Sequence, residues 1–258
     1  MFSKWVFASA IFGCVSTLAA AAAASPVTEG RTPVLLELFT SEGCSSCPSA
    51  DRLLEVFDRT QPVNGADLIV LSEHVDYWNG LGWKDPFSSQ EFTERQNDYA
   101  RRLRVDSVYT PQLVIDGRSQ LVGSDGAGAK AAIEKAIQRR KVPVMLSDAK
   151  RDGNQIKFHV EVPELPSAGK AGDEVFVAIA ENQMSSRVVR GENGGRTLNH
   201  VAVVRTLTSI GTVAKGGGFS KALDLPVQAG FGANGLRVVV FVRDRASGEV
   251  VGVTQQKI

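Results

Sequence analysis

Residues 34–59 read VLLELFTSEGCSSCPSADRLLEVFDR, and the fold turns on how this stretch divides. Val34 to Phe39 is a short apolar run bounded by turn residues, the pattern of a buried strand. Ala50, Leu53, Leu54 and Phe57 recur at helical spacing, which predicts a helix from about Ser46 to Arg59. Between the two lie Cys44 and Cys47 in a C-x-x-C arrangement. Pro48 falls in the first helical turn, where its missing N–H costs nothing. Such a pair serves as a redox centre, as half of a metal site or as a structural staple, and the rest of the chain has to separate these.

The chain has 258 residues, enough for one large domain or two small ones. Lys4 precedes an apolar run from Trp5 to about Ala20, and an alanine tract, Ala19–Ala24, leads into Ser25-Pro26. That pattern is a secretory signal over residues 1–24, so the protein is expected to be exported, periplasmic or extracellular. A membrane-anchoring helix is the alternative use of this stretch. Cys14 follows a small residue as in lipidated signals, although Phe12 fits that pattern poorly. No other stretch is apolar enough to cross a bilayer, so no membrane contact is expected after cleavage.

Losing Lys4 leaves 28 basic against 28 acidic residues. A chain of zero formal charge has no general attraction to nucleic acid or anionic lipid. Losing Cys14 leaves Cys44 and Cys47 as the only cysteines. A bridge between them closes a very short loop and stabilises little, which weakens the staple reading.

From residue 33 to 142 the pattern alternates strand and helix. Asp67–Val75 reads as a second strand, and Ser88–Leu103 as a polar helix with serine N-caps. Thr110-Pro111 precedes a hairpin, Gln112–Ile115 and Ser119–Val122, joined at Asp116-Gly117. A last helix covers about Ala127–Gln138. From 143 to 258 short alternating runs at 155–162, 174–181, 201–207, 218–225, 236–242 and 250–255 are separated by Gly and Asn clusters. They predict an antiparallel, sandwich-like β domain.

The strand–C-x-x-C–helix order puts Cys44 near a helix N-terminus, where free N–H groups and the dipole favour a thiolate. Cys44, the more N-terminal and the more exposed, is expected to attack, and Cys47 to resolve the mixed disulfide. Functional loops of open α/β sheets emerge at the strands' carboxyl ends. Residues 74–87 (HVDYWNGLGWKDPF) should therefore lie beside the cysteines, with Tyr77, Trp78 and Trp83 lining a partner groove or pinning the loop to the core. His74 and Asp76 join Cys44 and Cys47 as the candidates for a copper or zinc cluster. His159 and His200 read as hydrogen-bonded structural residues. No G-x-S-x-G or H-E-x-x-H motif points to hydrolysis. The 190–196 loop, with Arg190, Glu192, Asn193 and Arg196, is a polar segment read as structural capping, with a face toward the first domain as the alternative.

The strand–C-x-x-C–helix unit, followed by further α/β elements with Thr-Pro before the third strand, resembles the thioredoxin fold. That resemblance implies a cis-proline at Pro111, with Thr110, presenting backbone to a bound peptide. LFTSEGCSSCPSAD, HVDYWNGLGWKDPF, YTPQLVIDG (109–117) and RGENGGRTLNHVAVVR (190–205) are similar to a family of exported bacterial proteins catalogued as a domain of unknown function within the thioredoxin-like group. It implies an α/β thioredoxin-like domain (33–142) followed by the β-rich domain (143–258). Ser45-Ser46 replaces the Gly-Pro of thioredoxin, and Leu38 occupies the place of its buried acid, with Glu37 one register off. Thioredoxin-like copper carriers pair two cysteines with a distant histidine, His74 here, but usually space the cysteines by three residues. The expected activity is thiol–disulfide exchange without a bound cofactor, its partners protein thiols or disulfides or a redox partner protein. The alternative is a copper- or zinc-binding or protein-docking module without redox turnover.

Overall fold

The computed structural model describes residues 1–2, 30–164, 172–228, 230–232 and 235–258. The expected signal segment beyond residue 2, with Cys14, lies outside the described residues. The first half runs β1 (Thr32–Thr40), α1 (Cys47–Thr60), β2 (Ala66–His74), α2 (Gln90–Leu103), β3 (Gln112–Ile115), β4 (Ser119–Val122) and α3 (Gly126–Ala136). The β1 and β2 strands are parallel, and β3 runs antiparallel to β1 with β4 as its hairpin partner. Asp116 and Gly117 form the hairpin turn, both at positive φ (49° and 63°), as a tight turn of this type requires. The hydroxyl of Ser89 caps α2 by accepting from Glu91 N, and the Asp125 carboxylate caps α3 by accepting from Gly128 N.

The second half contributes β5 (Met145–Asp152), β6 (Gln155–Val162), β7 (Asp173–Arg187), β8 (Thr197–Val213), β9 (Phe219–Pro226), β10 (Leu236–Asp244) and β11 (Val250–Lys257). Its strands do not form a separate body. One eight-stranded sheet runs β11-β10-β7-β8-β2-β1-β3-β4, and the halves meet where β8 pairs parallel to β2 at Ser72–Val203. Residues Leu68–His74 of β2 are buried throughout, so a strand alongside satisfies backbone groups that an open edge would leave unpaired. The smaller β5-β6-β9 sheet covers one face of the far end. There Ile156, Phe158 and Val160 share a core with Val175, Val177, Val238 and Val240. A sandwich is present, but one of its two layers is the continuation of the first half's sheet, across the 142/143 boundary expected from sequence.

Successive residues of β1 point to opposite faces. Leu36 and Leu38 share a core cluster with Ala50, Leu54 and Phe57 of α1, whereas Glu37 and Phe39 meet α2. Against α1, β10 supplies Arg237, 1% exposed, whose guanidinium is bidentate to Asp58 at 2.8 and 3.0 Å. The helix that follows the cysteines is thereby fixed to both halves.

Candidate functional site

The chain leaves β1 at Thr40, turns through Ser41–Ser46 and enters α1 at Cys47. Two backbone bonds shape the turn, Cys44 N to Ser41 O and Cys47 N to Cys44 O, each 3.2 Å. Cys44 and Cys47 are joined in a disulfide, their Cα atoms 5.4 Å apart. Ser46 caps α1 without a side-chain bond, and Pro48 lacks an N–H, so the helix N-terminus presents its dipole to the Cys44 side. The Cys44 sulfur lies 3.3 Å from Ser46 Oγ. Ser45 and Ser46 are at the surface. Cys44, however, is only 1% exposed and Cys47 not at all, so the expected difference in exposure between the two sulfurs is slight.

Two loops from different halves cover the disulfide. In the 75–87 loop, Trp78 packs its Cβ against Gly43 and donates from Nε1 to Thr110 Oγ1 at 2.8 Å. Trp83 donates from Nε1 to Glu42 Oε2 at 2.8 Å. Both indoles are thus held inward, while Tyr77, 40% exposed, turns to Gln96 of α2. The other loop is the β7–β8 tip. Asn193, wholly buried, donates from Nδ2 to the carbonyls of Glu42 (2.9 Å) and Cys44 (3.0 Å). Glu192 Oε2 accepts from Ser45 N at 2.9 Å, and Arg196 holds Asn193 through its Oδ1. Glycine is required at Gly191, at φ 78°, because a side chain there would press on Trp83.

The Thr110–Pro111 peptide is cis. Pro111 is buried and accepts from Gly123 N through its carbonyl. A side chain at Gly123 would strike Leu38, Ala50 and Pro111 together, which sets the proline against α1 just beyond the cysteines. The structure therefore gathers Cys44, Cys47, Thr110, Pro111, Trp78 and Trp83 at one sheet end, and leaves Tyr77 at its margin.

Behind the disulfide lies a cluster that the sequence did not single out. The Glu42 side chain, fully buried, accepts from Trp83, from the Ser186 hydroxyl and from His200 Nε2 at 3.2 Å. His200 of β8 also has Nδ1 3.7 Å from Asp51 Oδ2. Asp51 lies one turn beyond Cys47 on α1, is 4% exposed, and accepts from Thr40 Oγ1 at 2.9 Å. His74 crosses the His200 ring edge-on at 4.7 Å between centroids and pairs through Nδ1 with Asp85 Oδ2 at 2.7 Å. The same Asp85 oxygen accepts from Glu42 N at 2.8 Å.

Burial alone would discharge these groups. For His200 the burial penalty is outweighed by the neighbouring carboxylates of Asp51 and Glu42, which lift its pKa to about 10. For Asp85 burial is likewise overcome by His74 and by the amides of Glu42 and Phe87, which bring it down to about 2. His200 is thus held as a cation between carboxylates. The only local signal for this cluster is the density of acids about the cysteines, Glu42, Asp51 and, in the aromatic loop, Asp85; His200 lies more than 150 residues from Cys44.

The alternative metal set is not assembled. His74 is committed to Asp85, and Asp76 accepts from Thr93 Oγ1 at 2.6 Å on the α2 side. Among the described residues no three His, Cys, Asp or Glu side chains group as a metal site. His159 bonds Ser220 at 3.1 Å, far along the second sheet. Glu37 faces away from the disulfide: buried, it binds Arg95 and accepts from Tyr99 Oη at 2.6 Å, with Glu73 3.4 Å from the same guanidinium.

Among solved structures the chain is similar to protein AGR_C_4864 from Agrobacterium tumefaciens, 30% identical over 86% of this chain and 92% of that one, with a TM-score of 0.61. It also shares a fold with HBP35 of Porphyromonas gingivalis, 17% identical over 88% of this chain and 75% of that one, with a TM-score of 0.62. No curated protein matches it. Residues 35–243 match the family described as protein of unknown function (DUF1223), and the chain belongs to that family.

Proposed function

We propose that this is an exported, periplasmic or extracellular thiol–disulfide oxidoreductase of thioredoxin-like design, with Cys44 and Cys47 as its redox couple. The observation that carries the reading is the closed Cys44–Cys47 disulfide at the N-terminus of α1, backed by a buried imidazole–carboxylate cluster. Perturbed titrating groups gathered at one point are a mark of functional sites. Pro111, packed beside α1, and the two pinned indoles support it from the neighbouring loops.

In the reducing direction a partner thiolate attacks Cys44 Sγ, the Cys44–Cys47 bond breaks, and Cys47 leaves with the electron pair. A second thiol of the partner then attacks its own sulfur in the mixed disulfide and frees Cys44 as a thiolate, stabilised by the helix N-terminus. The partner ends oxidised by two electrons and the couple reduced by two. Protein thiols or disulfides, or a dedicated redox protein, are the fitting partners, and no bound cofactor enters the scheme. Approach is over Ser45-Ser46 and requires the β7–β8 tip to lift from Ser45 N.

Exposing reduced Cys47→Ser protein to glutathione disulfide tests this. The expected result is one glutathione adduct on Cys44, found by mass and released by dithiothreitol. A Cys44 that stays unmodified over hours in the folded Cys47→Ser protein would overturn the reading. Stoichiometric copper or zinc retained by the reduced protein would favour the metal-binding alternative instead.

A further inference from the structure

Opening a disulfide leaves sulfur anions that must acquire protons, and a couple closed off from water needs a route for them. The reading below rests on the redox function just proposed and assigns that route. Asp51 stands four residues after Cys47 on α1, which puts both side chains on one helix face. Its carboxylate meets His200 Nδ1 at 3.7 Å, a nitrogen that is buried and makes no hydrogen bond. His200 is faced by Glu42 from the turn before Cys44, by Asp51 from α1 and by the ring of His74 from the end of β2, itself paired with Asp85.

Two clefts reach this pair, one lined by each member. One of about 280 Å³ is lined by Glu55, Ser185, Asn199 and His200. The other, about 210 Å³, is lined by Pro48, Asp51, Glu55, Arg196 and Asn199. Exposed Glu55, one helical turn beyond Asp51, lies at both.

We propose that Asp51 exchanges the proton of Cys47, that His200 positions and recharges Asp51, and that protons enter between α1 and β8 past Glu55. In the reducing direction Cys47 leaves as a thiolate and takes one proton from the Asp51–His200 pair. The pair then regains one from water through the clefts. In the oxidising direction Asp51 takes the Cys47 proton as that sulfur attacks the mixed disulfide on Cys44 and expels the partner's thiolate. Electrons are then exchanged at Cys44, over Ser45-Ser46, and protons at Cys47, between α1 and β8, and the second half of the chain supplies the positioning imidazole.

Reaction of the reduced full chain with dithionitrobenzoate separates the two functions. The first release of thionitrobenzoate reports attack by Cys44, and the second reports attack by Cys47 on the mixed disulfide. With Asp51→Asn the second release should slow about tenfold or more near neutral pH. It should also gain a rate that climbs with pH until it regains the native value, while the first release changes less than about twofold. His200→Gln should act in the same direction, and Asp51→Glu should restore much of the rate. Equal slowing of both releases, or an unchanged pH profile of the second in Asp51→Asn, would overturn the relay and leave the redox reading standing. Absence of the first release in the native protein would overturn both.

Discussion

Glu42 binds more of the site than any other single residue: Trp83, Ser186 and His200 all converge on its carboxylate, and its backbone holds Asp85 and Asn193. Glu42→Gln keeps the shape but withdraws a charge from the His200 cation. Removing one partner of a buried pair is costly, and a loss of about 3 kcal/mol at pH 7 is expected from urea unfolding. The pH dependence has two limbs. Folding raises His200 from 6.5 to about 10, so its contribution is complete below pH 6.5 and fades as pH rises toward 10. Folding lowers Asp85 from 3.8 to about 2, so its contribution is complete above pH 3.8 and fades as pH falls toward 2. The urea midpoint should therefore be highest between about pH 4 and 6.5, with the alkaline limb flattened in His200→Gln. None of this was legible from single residues. His200 reads as a hydrogen-bonded structural residue, but its partners do not show, because Glu42 and Asp51 are distant in sequence and their convergence is made only by tertiary packing.

Among the elements, the β7–β8 tip lies over the cysteine turn through Glu192 and Asn193. Asn193→Ala removes two bonds to the carbonyls on either side of Gly43. Each lost bond leaves an unsatisfied group, at about 1 kcal/mol or more. The variant should be less stable, and its disulfide should be reduced by dithiothreitol several-fold faster, read by alkylation with time; an unchanged rate would mean that the tip does not control entry. On the other face, the two acids of β1 and β2 that share Arg95 differ in role. Glu37 accepts from both Arg95 and Tyr99, so Glu37→Gln should cost about 3–5 kcal/mol in urea unfolding. Burial, then Glu37 itself, drives Glu73 well above its usual range against the pull of Arg95. It favours the fold at low pH and penalises it once the unfolded carboxyl ionises above about 4.5. Glu73→Gln should accordingly be within about 1 kcal/mol of neutral, or stabilising, at pH 7. The strands and helices of the first half were legible because apolar runs and helical spacing are local signals: Gln112–Ile115 and Ser119–Val122 fall where the sequence puts them. The β5 strand was missed, since Met145–Asp152 alternates poorly and carries four charges. The full length of β7 and β8 was missed because their outer ends, 182–187 and 197–200, are largely polar and gain their order from each other.

At the scale of the molecule, the pairing of β8 with β2 joins the halves in one sheet. Such a long-range parallel pairing has no local signature, which is why sequence divides the chain at 142/143. Trp78 and Trp83 report on the first half, whereas most strand signal in circular dichroism comes from the second. The two probes should trace one urea transition with coincident midpoints; separated midpoints would restore the two-domain view. A second tie is the β3–β4 turn, where Val250 N donates to Asp116 O and Lys141 pairs with Asp116 at 2.7 Å. A side chain at Gly117 would run into the Gly248 carbonyl of the β10–β11 turn, at a positive φ besides. Gly117→Ala should therefore lower both probes' midpoints together. The order of the chain also gives the covering of the disulfide a direction in time. Asn193 follows Cys44 by 149 residues, which at ribosomal speed is on the order of ten to thirty seconds. On a growing or emerging chain both sulfurs are therefore uncovered before their lid exists. Whatever first oxidises them has its easiest opportunity then, before any tip has to lift.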